Sequence, residues 1–202
     1  MNKSIDTLEK YRKFQKNINK EKVKILVHAC CAPCSSEVLN QLKEVADITI
    51  YYYNPNTYPY EEYLKRYEEF NKLPNEFQII NEDYDENEFL NEIKEYSHLG
   101  ERSIRCYKCY ALRLKKTAQK AKELGFDYFT TTLSISPYKN SKWINELGKK
   151  YEEEIGINFL YSDFKKNEGY KKSIILSKEY DLYRQEYCGC IYSKEESEAT
   201  DE

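Results

Sequence analysis

Val23-Lys24-Ile25-Leu26-Val27-His28-Ala29 runs without a break into Cys30-Cys31-Ala32-Pro33-Cys34-Ser35. A mostly apolar run of strand length that stops at polar, turn-forming residues reads as a buried strand. Ser35, followed by Ser36 and Glu37, is placed to cap a helix running to about residue 45. Downstream the same alternation repeats. Strands are predicted at 48–53, 77–80, 126–133 and 157–161, and helices at 60–73, 85–96, 104–124, 142–155 and 171–184. Asn54-Pro55-Asn56 stops the second strand, and Gly125 ends the longest helix. Strands separated by helices favour a parallel sheet covered on both faces, so the fold class is a single doubly wound α/β domain. Ligands of such sheets sit at the carboxyl ends of the strands. Cys30, Cys31 and Cys34 follow the first strand, Asn54 and Pro55 the second, residues 134–138 the fourth and Asp163 the last. A metal site is therefore expected there.

The 202 residues are near the size of one domain. The expected division is a helical extension at 1–20 with Leu8, Tyr11 and Phe14 on one face, an α/β catalytic domain at 21–193, and an acidic flexible tail at 194–202. The first ten residues carry four charges and no apolar run, and no later stretch reaches membrane-spanning length. A cytoplasmic protein without a membrane partner is expected. Net charge is −3, which neither announces nor excludes a polyanion. Basic residues gather at 108–122, 139–150 and 165–172, where a phosphate-binding face competes with ordinary solvated helix surface.

All seven cysteines fall into three clusters, Cys30-Cys31-Ala32-Pro33-Cys34, Cys106-Tyr107-Lys108-Cys109 and Cys188-Gly189-Cys190. In a reducing compartment, clustered thiols read as metal ligands or redox catalysts before they read as structural disulfides. Cys30, Cys31, Cys106 and Cys109 together supply the four thiolates of an iron-sulfur cluster or a zinc site, and a metal-free thiol relay is the third reading. Cys188 and Cys190, one residue apart, form either a strained, redox-labile pair or two further ligands, with Gly189 giving the backbone freedom for closure. Cys34 is a ligand to a second ion, a reactive thiol or a packing residue. His28, at the end of a buried strand, reads as a satisfied core histidine, and His98 as surface. The 21 tyrosines include base-stacking candidates, although a chain rich in Lys, Asn, Ile and Glu carries many for compositional reasons. Lys139, Arg105, Arg113 and Arg184 neighbour the clusters or strand ends and are phosphate-contact candidates, against solvated charge.

His28-Ala29-Cys30-Cys31-Ala32-Pro33-Cys34-Ser35, Tyr53-Asn54-Pro55-Asn56 and Arg105-Cys106-Tyr107-Lys108-Cys109-Tyr110-Ala111-Leu112-Arg113-Leu114 closely resemble the QueH type of epoxyqueuosine reductase. The resemblance extends through Thr130-Thr131-Thr132-Leu133-Ser134-Ile135-Ser136-Pro137-Tyr138-Lys139-Asn140, Asp163-Phe164-Lys165-Lys166 and Tyr183-Arg184-Gln185-Glu186-Tyr187-Cys188-Gly189-Cys190, spanning about 23–193. It implies a fold similar to the nucleotide-binding ATP pyrophosphatase-like group. It also implies reduction of the epoxide of epoxyqueuosine, at the tRNA wobble position, to queuosine. A 4Fe-4S cluster on Cys30, Cys31, Cys106 and Cys109 is implied, with room for an additional mononuclear iron. Cys188 and Cys190 become the redox-active pair, and Cys34 and Asp163 candidates for the second metal or for proton delivery. The implied partners are tRNA with a GUN-type anticodon and an electron donor of unknown identity. Tyr58, Tyr107 and Tyr138 are the stacking candidates; Lys108, Lys139, Lys165, Lys166 and Arg184 would follow the phosphates. Two other classes compete. A cluster-dependent tRNA thiolation enzyme should carry Ser-Gly-Gly-x-Asp-Ser where this chain has Cys30-Cys31-Ala32-Pro33-Cys34-Ser35. A zinc-stabilised RNA-binding module would be colourless and redox-silent.

Overall fold

Strands β1 (Val23–His28), β2 (Ala46–Tyr52), β3 (Gln78–Asn81), β4 (Tyr128–Thr131) and β5 (Asn158–Phe159) form one parallel sheet of order β3-β2-β1-β4-β5. The computed structural model describes residues 22–74 and 77–199. The helices are α1 (Ala32–Leu42), α2 (Tyr60–Glu68), α3 (Glu86–Ile93), α4 (Ile104–Glu123), α5 (Ser141–Ile155), α6 (Gly169–Glu179) and α7 (Ile191–Glu198).

Period-two alternation in β1 places successive side chains on opposite faces, and both faces are dry. Ile25 and Val27 pack with Val38 and Leu42 of α1, whereas Leu26 packs with Leu114 and Ala118 of α4 and with Leu147 of α5. Helix α6 lies against α1, and α5 against α4, so the sheet is doubly wound as the alternating pattern predicts. Ile25, Leu26 and Val27 are each 0% exposed, and each contributes about 1.5–3 kcal/mol of apolar burial. His28 ties the centre of the sheet together: Nδ1 lies 2.9 Å from Thr131 Oγ1 on β4, and Nε2 lies 3.1 Å from the Tyr53 carbonyl beyond β2. The carbonyl can only accept, so the proton sits on Nε2 and Nδ1 accepts from the threonine. Burial, with Arg113 adding to it, pushes this imidazole down to about 3, and it stays neutral as a core histidine should.

Helix α5 approaches β5 so closely that a Cβ on Gly148 would stand 2.2 Å from the Phe159 ring. Gly148→Ala is therefore expected to destabilise the fold by about 1–3 kcal/mol, the cost of overpacking, lowering Tm by several degrees. An unchanged Tm in thermal unfolding would contradict this close helix–sheet contact.

Several boundaries differ from expectation. Helix α1 starts at Ala32, before Ser35, with Cys31 as its N-cap and Pro33 in the first turn, where the missing N–H costs nothing. Ser35 instead turns back to donate its hydroxyl to the Cys31 carbonyl at 2.7 Å. The helix expected over 171–184 is α6, which ends at Glu179 and leaves 183–190 free to run as an irregular loop. The strand expected over 126–133 stops at Thr131, whose side chain caps a 3-10 turn at Thr132–Ile135. The stretch expected as a tail opens with α7, fastened by the 2.8 Å Arg105–Glu196 ion pair. The helix expected over 6–20 lies outside the described residues. Among those described, no helix is long and apolar enough to cross a membrane.

Candidate metal centre

The turn between β1 and α1 brings the Sγ atoms of Cys30, Cys31 and Cys34 within 4.8 Å of one another, with Cys30 and Cys31 3.8 Å apart. Its shape is fixed from the neighbouring strand: Asn54 donates to the Ala29 carbonyl at 2.9 Å, and the Ala29 N–H donates to the Tyr51 carbonyl at 3.0 Å. The triad sits at the positive end of α1, which favours thiolate. Hydrogen bonds from Cys31 and then Cys34 hold the Cys30 thiol well below its ordinary range against burial, with Lys139 and Arg113 helping. Cys31, hydrogen-bonded to Cys30, and Cys34, hydrogen-bonded to Cys30 and Cys31, are pushed up. A bound metal takes the place of thiol protons.

Helix α4, capped by Ser103 through a 3.2 Å bond to the Arg105 N–H, supplies the second cluster. Cys106, Cys109, Tyr110 and Arg113 stand at i, i+3, i+4 and i+7, one helical face turned toward the triad's side of the sheet. Cys106 and Cys109 share a small cavity with Cys188 and Cys190. Burial pushes the Cys109 thiol up to about 11 and the Cys190 thiol up to about 12, and raises Cys106.

The third cluster is presented by a loop built on Arg66. This guanidinium, 1% exposed, is anchored by Glu62 at 2.7 Å and donates to the carbonyls of Cys188 at 3.2 Å and Tyr187 at 3.4 Å. Gly189 adopts φ +126°, its carbonyl accepts from the Tyr58 N–H at 2.8 Å, and the Cys188 N–H reaches Ser193 Oγ at 3.0 Å. Two side chains couple this loop to the other elements: Lys139 Nζ donates to Cys188 Sγ at 3.3 Å, and Gln185 Nε2 to Cys31 Sγ at 3.2 Å. Burial works against the Lys139 charge, but Cys188, Tyr110 and Cys30 outweigh it and hold the ammonium above its ordinary range. All seven cysteines are free thiols.

A cavity of about 380 Å³ opens over these thiols, with Cys30, Cys34, Cys106 and Cys188 in its wall. Of the residues singled out from sequence for the substrate, Tyr138, Lys139 and Arg184 line it. Tyr58 does not; its backbone holds Gly189 and accepts from the Tyr187 hydroxyl. Tyr107 packs edge-on against Trp143, and Lys108 pairs with Glu92 at 3.5 Å. Lys165 donates to the Lys139 carbonyl at 3.1 Å and pairs with Asp163 at 3.6 Å, while Lys166 reaches Asp163 at 4.0 Å. Asp163 is outside the cavity wall, and its Oδ1 is buried without a hydrogen-bond donor. Arg105 and Arg113, read as phosphate-contact candidates, are 3% and 2% exposed, so neither can meet a phosphate at the surface. Sequence reading missed Tyr110, Arg102, Gln185 and Arg66. Tyr110 was signalled by its place one turn after Cys106, whereas Arg66 and Gln185 reach the thiols only through tertiary folding.

The residues present fit a thiophilic metal group. The donors are soft sulfurs, and the buried cations facing them lack enough carboxylates to balance them. Arg113 has no carboxylate within ion-pair distance among the described residues, and its Nη2 has no hydrogen-bond partner.

A family model described as "Epoxyqueuosine reductase QueH" matches residues 25–196. Among curated relatives, the epoxyqueuosine reductase QueH of Streptococcus pyogenes serotype M1 is 46% identical over 177 residues, covering 84% of this chain and 69% of that protein. The one of Thermotoga maritima is 40% identical over 175 residues, covering 84% and 89%. Among solved structures, the U34-tRNA thiolase NcsA from Methanococcus maripaludis, determined with its 4Fe-4S cluster, superposes with a TM-score of 0.51 at 14% identity, covering 98% of this chain and 73% of that one. At that identity the likeness speaks for the fold alone. With the family model matching nearly the whole described chain and relatives well above a third identical, this chain belongs to the QueH family of epoxyqueuosine reductases.

Proposed function

We propose that this chain reduces the epoxide of epoxyqueuosine, carried at the wobble position of a tRNA with a GUN-type anticodon, to the alkene of queuosine. The observation that carries this is the convergence of all three cysteine clusters on one cavity wall, beside a lysine and a buried phenol. The reaction takes up two electrons and two protons, breaks both C–O bonds of the epoxide, and releases the oxygen as water. A 4Fe-4S cluster held by Cys30, Cys31, Cys106 and Cys109 would supply single electrons, and an additional iron with an open coordination site would supply the Lewis acid that polarises the C–O bonds.

The chain's own residues do the rest. Oxidation of Cys188 and Cys190 to a disulfide releases the required two electrons and two protons, and an external electron donor restores the dithiol. Lys139, bonded to Cys188 Sγ, stabilises the thiolate through which that oxidation passes. Cys34, third member of the triad, and Asp163, whose buried Oδ1 accepts no hydrogen bond and has Lys165 Nζ 3.6 Å away, are the candidates for a second iron or for proton delivery. At the mouth, Tyr138 is 62% exposed, with the Arg102 guanidinium 5.7 Å from its ring centre, and Arg184 lies 5.8 Å from the Tyr170 ring. Such cation-backed rings stack on a base splayed from a single-stranded loop, and the arginines take the flanking phosphates.

The substrate half of the proposal is tested by binding an epoxyqueuosine-bearing anticodon stem-loop. Affinity should fall as salt rises, and Tyr138→Ala should raise KM roughly tenfold with kcat little changed, the loss of one base-stacking contact. Salt-independent binding, or an unchanged KM in Tyr138→Ala, would contradict it.

A further inference from the structure

Arg113 is the one cation at this centre that neither a carboxylate nor a substrate-facing position explains. Its side chain is 2% exposed, and among the described residues its one side-chain hydrogen bond runs from Nε to the Cys109 carbonyl at 3.3 Å, one helical turn back. Nη2 is buried without a partner, and no carboxylate lies within ion-pair distance among the described residues. A guanidinium so enclosed is strongly unfavourable unless an anion stands beside it. Arg113 lines the small cavity that Cys106, Cys109, Cys188 and Cys190 also line. Arg105 and Asn56 line it too, and Arg105 Nε and Asn56 Oδ1 are likewise buried and unpartnered. Arg105 differs in one respect: its charge is already met by Glu196 at 2.8 Å. Among the described residues, the cysteine sulfurs, as metal-bound thiolates, are therefore the anions left for Arg113.

We propose that Arg113 is the internal counter-ion of the thiolate-held metal group, its free Nη2 N–H donating to sulfur, and that its charge sets how readily that group accepts an electron. It acts through the group without touching substrate and is a positioning residue. Positive charge and N–H donors beside sulfur stabilise the reduced, more negative state, so they raise the potential. The inference rests on the metal-group reading above.

The test uses the full chain, purified without oxygen and loaded with iron and sulfide, with each group taking one electron from dithionite while ambient potential is monitored spectroscopically. Iron and sulfide per chain are measured in parallel. Arg113→Gln should lower the ratio of reduced to oxidised group at a fixed ambient potential by tenfold or more, tenfold being 59 mV for one electron. Arg113→Lys, which keeps the charge, should stay within a few-fold of wild type. Lys115→Gln, on the exposed side of the same helix, should leave the potential unchanged. Loss of iron in Arg113→Gln but retention in Arg113→Lys would also support the charge-balancing role. A wild-type potential in Arg113→Gln, equal loss of iron in both Arg113 variants, or an equal shift in Lys115→Gln would overturn it. Failure of the wild type to take up iron would instead sink the metal-group reading.

Discussion

Alanine at Gly189 should cut epoxide reduction by about 10²-fold or more, the scale expected when reacting groups move by an ångström, while the iron bound per chain stays at the wild-type level. The expectation comes from two constraints on one residue. Gly189 sits at φ +126°, a backbone region that an L side chain rarely adopts, and an added Cβ would stand 2.6 Å from Arg66 Nη1. Arg66 has no free direction to retreat: Glu62 grips Nε, and the carbonyls of Cys188 and Tyr187 take the outer nitrogens. The strain must therefore be relieved by moving the loop that carries Cys188 and Cys190. The residues assigned to hold iron lie on α4 and on the turn after β1, so metal content is spared. Gly100→Ala, where a Cβ would meet nothing within 4 Å, serves as the control and should keep full turnover. Wild-type turnover in Gly189→Ala would mean that the placement of these two thiols is not limiting.

Removing Cys106 should act on the metal itself. Cys106 lines both the large cavity and the small one, the single cysteine besides Cys188 to do so. On α4 it stands one turn before Cys109 and Tyr110, where packing holds the helix face in register. Cys106→Ala is expected to bring iron and sulfide down to background and turnover to that of a protein-free control. The fold should persist, because Cys106 is only partly buried. Full iron and sulfide content in a folded Cys106→Ala chain would remove Cys106 from the ligand set.

Where local chemistry and periodicity act, the sequence was a good guide. The apolar run at 23–29 placed the central strand, the strand–helix alternation gave the doubly wound sheet, and the first cysteine cluster fell at the carboxyl end of that strand, where such sheets bind ligands. Helix α4 was legible nearly to the residue, and its spacing placed Cys106 and Cys109 at its start, although the reading did not join Tyr110 and Arg113 to them on that face. Ser35 misled because a serine near a helix start is usually a cap; here the turn closes earlier, on Cys31, and the hydroxyl bonds backward. Arg105 and Arg113 misled in a similar way, since a cation beside a cysteine looks like a phosphate ligand until burial is known. Helix α7 was hidden by its charge-rich composition; Arg105 fixes it by pairing with Glu196 and lying 4.7 Å over the Tyr192 ring. Arg66 and Gln185 were beyond reach: each meets its cysteine partner across more than a hundred residues of chain, so only the packed structure joins them. The Pro33 position also bears on function. A proline in the first turn of α1 removes one of the N–H donors that a nucleotide-binding loop would turn toward phosphate.

The most direct test is a single incubation. Protein purified without oxygen and loaded with iron and sulfide is mixed with epoxyqueuosine-containing tRNA and a chemical reductant, and the digested nucleosides are read by mass spectrometry. Loss of one oxygen from the modified base, in a brown, iron-containing sample and dependent on the reductant, is the predicted result. A protein that holds zinc, shows no redox response and leaves the nucleoside unchanged would contradict the account.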